Sequence, residues 1–198
     1  MYSIDELPLQ DLQNFWSLLY MDFCRKICTD HPAEGETVIR RAIAETGRRQ
    51  GEWQRQEHEQ MGLNTNLHSF FLDGRGAVCD PRSAAAVHTR NTEVCLWDRY
   101  ICPMANYWAA HSAEAYGRFY CEEYMRAFLS GYTGGKGQFH LSKVLTDKRD
   151  ILCQFAAYFR PANLELEQRR KAFESTPVRQ EAPVGSFSDY IREKAVLF

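Results

Sequence analysis

The chain is poor in the features that would assign it to a specialised class at once. Its 198 residues carry 24 Lys and Arg against 26 Asp and Glu, a formal charge of -2. There is thus no basic field for a polyanion, and the expectation is no nucleic-acid partner. No apolar run has the length of a membrane span, and Met1–Leu9 has neither a basic leader nor an apolar secretory core. The expectation is no membrane association and a cytoplasmic location. No CxxC pair occurs, and the seven cysteines are odd in number and match no disulfide framework. They read as reduced thiols, some of them simple core residues.

What is present suits an ordinary folded domain. Hydrophobic residues make up 44% and aromatics 13%, and a chain of this length buries roughly 70% of its unfolded surface without staples. The expected architecture is a single α+β domain over 1–198, with N-terminal helices and a central helix packed on a small antiparallel sheet. Its core lies at about 9–160, followed by a C-terminal arm at 161–198 that suits a wrap-around or homo-dimer contact.

Apolar positions at three- and four-residue steps (Leu12, Phe15, Trp16, Leu19, Phe23, Ile27) predict an amphipathic helix from Leu9 to Cys28. Glu36–Met61 predicts a second, with Val38, Ile39, Ala42, Ile43, Thr46 and Trp53 as its buried stripe and Arg40, Arg41, Arg48, Arg49 and Arg55 on a wet surface. Asn64 or Thr65 is placed to cap a short helix holding Leu67, Phe70 and Phe71. Val87–Ile101 reads as one long or bulged strand.

The stretch from Cys102 to Phe155 gathers the chemistry. Pro103 holds Cys102 extended and itself suits a first helical turn, so this thiol belongs where a strand hands over to a helix, where backbone N–H groups favour thiolate. The apolar helix Ser112–Ser130 carries Cys121, with Gly117 one turn earlier leaving room for a neighbour to approach. Glu122 and Glu123 point further round, so at most one of them joins Cys121. Four glycines between Gly131 and Gly137 lack the ending of a phosphate-binding loop and suggest a mobile flap. Gln138–Thr146 and Ile151–Arg160 read as a hairpin around Asp147–Asp150, with Ile151, Cys153, Phe155, Ala157 and Phe159 on one face and His140 opposite in phase to Phe139 and Leu141.

Three of these elements together resemble the L-2-amino-thiazoline-4-carboxylic acid hydrolase family: Cys102-Pro103, Phe119-Tyr120-Cys121-Glu122-Glu123, and Lys148-Arg149-Asp150-Ile151-Leu152-Cys153-Gln154-Phe155. The similarity covers about residues 35–160 and is most specific in Asp-x-x-Cys-x-Phe. The chain departs from the family pattern at Arg149, where a glycine is expected, and at Glu122-Glu123-Tyr124, where an aspartate is expected nearby. The resemblance implies hydrolysis of a C–N bond in a small nitrogen- and sulfur-containing substrate such as a cyclic amidine, with no cofactor and no metal. Cys121 or Cys102 would attack as thiolate, and His140 or Glu123 would move protons. Arg149 or Arg118 would hold a carboxylate, and Asp150, Cys153 and Tyr124 would complete the substrate-binding set. Two rival readings share these residues: a non-catalytic small-molecule binding module, and a metal site built from Cys102, Cys121, His140 and Cys153.

Overall fold

A computed structural model describes residues 6–72, 80 and 82–173. The expected C-terminal arm beyond residue 173 and the break at Asp73–Gly76 lie outside the described residues.

Two long helices start the fold, α1 (Glu6–Asp30) and α2 (Gly35–Gln60). On α1 the buried side is Ser17, Met21 and Cys24, with Tyr20, Ile27 and Cys28 partly buried beside them. Phe15, Trp16 and Phe23, expected in the buried stripe, stand 54%, 55% and 59% exposed. Helical periodicity alone does not say which of two apolar stripes faces inward, and here the packing against α2 and two later helices selects the other one.

On α2 the buried residues are Gly35, Ile39, Ile43, Gly47, Gly51, Gln54 and His58. Val38, Ala42, Thr46 and Trp53 are exposed instead. The reason is the partner helix α5 (Glu114–Tyr132), which meets α2 backbone to backbone. A Cβ on Gly51 would fall 2.1 Å from the Phe128 carbonyl oxygen, one on Gly47 2.7 Å from that of Tyr124, and one on Gly131 2.1 Å from that of Arg48. Mid-helix glycines cost about 1 kcal/mol each relative to alanine, so close packing must outweigh about 2 kcal/mol for Gly47 and Gly51 alone. The same contact corrects the flap expectation. Gly131 and Tyr132 form the last turn of α5, Tyr132 is fully buried, and its hydroxyl lies 2.7 Å from His58 Nδ1. Only Gly134 and Gly135 adopt positive φ beyond it.

A short α3 (Leu67–Leu72) follows, capped by Asn66, whose Oδ1 accepts from the Ser69 amide at 3.0 Å. The cap is therefore neither Asn64 nor Thr65. Next come β1 (Ala84–Arg90) and β2 (Val94–Ile101), two antiparallel strands where one was expected. The turn between them has no glycine or proline to announce it. Asn91 Oδ1 closes it by accepting from the amides of Glu93 and Val94.

After α4 (Pro103–Ala110) and α5, β3 (Gln138–Lys143) and β4 (Cys153–Tyr158) form the expected hairpin. The four strands run β1-β2-β4-β3, each pair antiparallel, which with the helices gives the expected α+β fold. A 3-10 turn at Pro161–Asn163 and α6 (Leu166–Phe173) complete it.

Period-2 alternation sorts the sheet into two faces. Cys95, Trp97, Phe139, Cys153 and Ala157 point to the helices and join Leu67, Phe70, Phe128, Leu129 and Tyr132 in the core. Trp97 and Phe155 stack, centroids 4.7 Å apart. Ile151, expected on this face, lies outside β4 and is 83% exposed. Among the described residues no helix is long and apolar enough to cross a membrane.

The glycine contact predicts a sign against propensity. Gly51→Ala improves helix propensity by about 1 kcal/mol, yet it places a methyl against the backbone and is expected to lower unfolding free energy by about 2–4 kcal/mol net. Arg49→Ala, on the exposed face, should change it by no more than about 0.5 kcal/mol. Urea midpoints of the two variants check both.

Candidate functional site

Cys102 follows β2 directly in an extended conformation and is the N-cap of α4, with Pro103 as the first helical residue. Its carbonyl accepts the Asn106 amide at 3.0 Å. The strand-to-helix corner expected from Cys-Pro is therefore present, and the Cys102 side chain makes no capping hydrogen bond to the first turn of α4. The helix then runs to Trp108, which is fully buried and donates its Nε1–H to the Ser17 carbonyl at 3.1 Å.

Gly117 on α5 receives the Trp108 ring: a Cβ there would lie 2.3 Å from Trp108 Cε3 and 2.9 Å from Thr146 Cγ2. The room expected beside Cys121 is thus filled from one side by an indole and from the other by the β3–β4 connection.

That connection explains Asp-x-x-Cys-x-Phe. Asp150 Oδ2 accepts the Val144 amide at 2.9 Å, and Cys153 Sγ accepts the next amide, Leu145, at 3.2 Å. Asp147 Oδ1 accepts the Arg149 amide at 3.0 Å, and Phe155 is the ring stacked on Trp97. Each residue of the motif fastens residues 144–150 or the sheet beneath them. Val144 and Thr146 are thereby buried against α5.

Three thiols converge at this junction. Cys121, Cys153 and Cys102 interact electrostatically with one another and with Arg99, the cross-strand neighbour of Cys153. Burial raises the Cys121 pKa well above the ordinary thiol range, and the neighbouring sulfurs add to it. Burial also pushes Cys153 up to about 11, with the Leu145 amide acting against it. Both are neutral thiols at physiological pH. Arg99 donates to Ser83 Oγ at 3.3 Å and makes no ion pair with a carboxylate among the described residues. Cys102 and Cys121 are partly buried, whereas Cys153 is 3% exposed.

The remaining expected site residues fall elsewhere. His140 is exposed on the opposite face of the sheet, edge-on to Tyr158, so it does not face the thiols. Glu123 accepts from Arg40 Nη1 at 3.0 Å and Glu122 from the same nitrogen at 2.7 Å, with Phe119 under the guanidinium. Arg40, expected on a wet helix surface, instead ties α2 to α5. Arg118 donates to Glu122 at 2.6 Å, and Arg149 and Arg118 both reach Asp147, at 2.8 and 3.4 Å. Those ion pairs hold the Asp147 carboxyl well below the usual carboxylate range. Arg118, Arg149 and Asp150 line a separate polar surface cleft of about 430 Å³, in which both guanidinium groups already have carboxylate partners. Tyr124 stacks on Tyr120, centroids 4.9 Å apart, on the α5 face toward α1 and α2.

Arg99 and Thr146 are the site residues that the sequence reading lacks. Strand phase was the signal for Arg99, since it alternates with the inward-facing Cys95 and Trp97. No spacing rule identifies Thr146, which is delivered by the fastened loop. Among the described residues no group of three His, Cys, Asp or Glu is arranged to hold a metal ion, and the set Cys102, Cys121, His140 and Cys153 is divided by the sheet.

The raised Cys153 pKa sets a pH dependence. Below the unfolded thiol pKa, about 8.5, both states hold the proton and the contribution to stability is complete. As pH rises toward 11 the unfolded chain loses the proton while the folded thiol still retains it, so stability falls. Cys153→Ser keeps an acceptor for Leu145 and does not titrate. Its loss of stability between pH 9 and 11 should be smaller than that of the parent chain, as measured by denaturant unfolding at each pH. Separately, Asp150→Ala leaves the Val144 amide without its acceptor and should cost about 1–3 kcal/mol. Faster amide exchange confined to residues 144–150 is the accompanying readout.

No protein-family model, no curated protein and no solved structure matches this chain.

Proposed function

We propose that the protein is a cysteine hydrolase for a small nitrogen- and sulfur-containing substrate, a cyclic amidine bearing a carboxylate, and that Cys102 is its nucleophile. The observation that carries this reading is the convergence of Cys102, Cys121 and Cys153 from three elements around an arginine that has no carboxylate partner among the described residues.

Cys102 is favoured over Cys121 by its place at the strand-to-helix corner that opens α4. The burial that keeps Cys121 protonated makes it a poor nucleophile and a suitable proton donor. In the proposed step the Cys102 sulfur forms a bond to the amidine carbon and its proton passes to the ring nitrogen. The bond from that carbon to that nitrogen breaks as the nitrogen takes up a second proton, from Cys121. Water then displaces the Cys102 sulfur, its oxygen stays on the carbon as a carbonyl, and its two protons restore the two thiols. Arg99 replaces Arg118 and Arg149 as the carboxylate anchor, because theirs are already engaged.

One observation favours a second reading, a binding module that does not turn its ligand over: among the described residues His140, the expected base, lies across the sheet from the thiols. Kinetics with 2-amino-thiazoline-4-carboxylate separate the two. Cys102→Ser should abolish turnover while retaining substrate binding, and Arg99→Gln should raise KM by about tenfold, the size of one charge-assisted contact. Turnover undiminished in Cys102→Ser refutes the assignment. Saturable binding without turnover in the parent chain establishes the binding module.

A further inference from the structure

The outer face of the sheet holds a second constellation, independent of the thiol reading. Between Val87 and Thr89 the β1–β2 register slips, so β1 spends one extra residue, His88, against its partner. Such a bulge re-aims a side chain. Here it brings His88 Nε2 to donate to Asp98 Oδ2 at 2.9 Å. Asp98 is only 8% exposed, although it stands on the face turned away from the helices, and its Oδ1 has no hydrogen-bond partner among the described residues. A buried carboxylate oxygen lacking a donor is costly, and a ligand that supplies one relieves that cost.

The residues around Asp98 form a trough. His140 pairs with Ala156, Ala156 with Leu96, and Leu96 with Thr89 beside the bulge, which makes one row across all four strands. With strands about 4.8 Å apart, the row spans about 14 Å. Its middle is the small Ala156 and the apolar Leu96, one end is His140, and the other is Thr89 with His88 of the bulge beside it. The half-open cleft above this floor measures about 500 Å³, within the range of roughly 300–1,000 Å³ typical of small-ligand sites. On one wall the Arg160 guanidinium lies 5.3 Å from the centre of the Tyr158 ring, and it makes no ion pair among the described residues. Asp98, already bonded to His88, is the only acid lining the cleft among the described residues, so its charge pattern favours an anion.

We infer that this trough is a binding site for a small planar organic acid, a single ring carrying a carboxylate and a hydrogen-bond donor. The ring lies on Leu96 and Ala156, Arg160 takes the carboxylate, and the donor completes Asp98 Oδ1.

Isothermal titration of the full chain with 4-hydroxybenzoate tests it. Saturable binding is expected, weaker by about fivefold for benzoate, which leaves Asp98 without its donor. No measurable binding is expected for 4-hydroxybenzylamine, whose charge is reversed. Arg160→Gln should weaken 4-hydroxybenzoate by about tenfold, and Ala156→Phe, which fills the floor from the solvent side, should abolish binding. Cys102→Ser should leave the affinity unchanged, which keeps this site distinct from the thiols. The inference is overturned by the absence of saturable binding up to about 10 mM, a concentration that still detects millimolar affinity. It is equally overturned by an affinity that Arg160→Gln leaves intact, or by preference for the amine.

Discussion

The backbone contact between α2 and α5 is the constraint on which the other features depend. Gly47, Gly51 and Gly131 let two helices approach until carbonyl oxygens occupy the space of missing methyl groups. That separation sets how deeply α5 sits on the sheet, because Phe128, Leu129 and Tyr132 on its other sides enter the core with Phe70 and Trp97. It also brings Arg40 of α2 within reach of both Glu122 and Glu123. A looser pairing would detach this ion-pair network and withdraw Cys121 from the β3–β4 connection. The helix-forming tendency lost at three glycines is thus exchanged for a fixed depth.

At that depth, the sheet divides the reactive groups between two environments. On the helix side, low polarity keeps Cys121 and Cys153 protonated, and the fastened loop 144–150 presses Thr146 and Val144 onto α5. Of the three thiols only Cys102 stands at a helix start, and Arg99 lies beside Cys121 and Cys153. On the solvent side, His140, His88 and Asp98 share a cleft with Arg160. A one-residue change of phase moves a side chain between these environments, and the bulge at His88 shows the fold using that device.

This also accounts for what the sequence disclosed. The bounds of α2, the Cys102-Pro103 corner and the β3–β4 hairpin were legible because local rules decide them: a helical period, a proline after an extended residue, and alternation around a polar turn. The inward stripe of α1 was not, since Phe15 and Trp16 are as apolar as Met21 and only partner helices choose between them. Nor was the β1–β2 turn, which rests on one asparagine side chain rather than on glycine or proline. For the site, residue type and proximity along the chain pointed to Cys102, Cys121 and Cys153, whose influence on one another emerges only in the fold. They failed for His140, whose strand phase already opposed it to Phe139 and Leu141. Asp150 looked like part of a reactive motif because a loop fastener and a substrate ligand use the same chemistry, acceptance of an N–H.

The central claim is that one thiol of the converging three is set apart by its surroundings. Alkylation of the native chain with iodoacetamide at neutral pH, followed cysteine by cysteine in a mass spectrometer, tests it most directly. Cys102 should be labelled well before Cys121 and Cys153, with Cys153 labelled only as the chain unfolds. Labelling of Cys121 or Cys153 ahead of Cys102 would contradict the account.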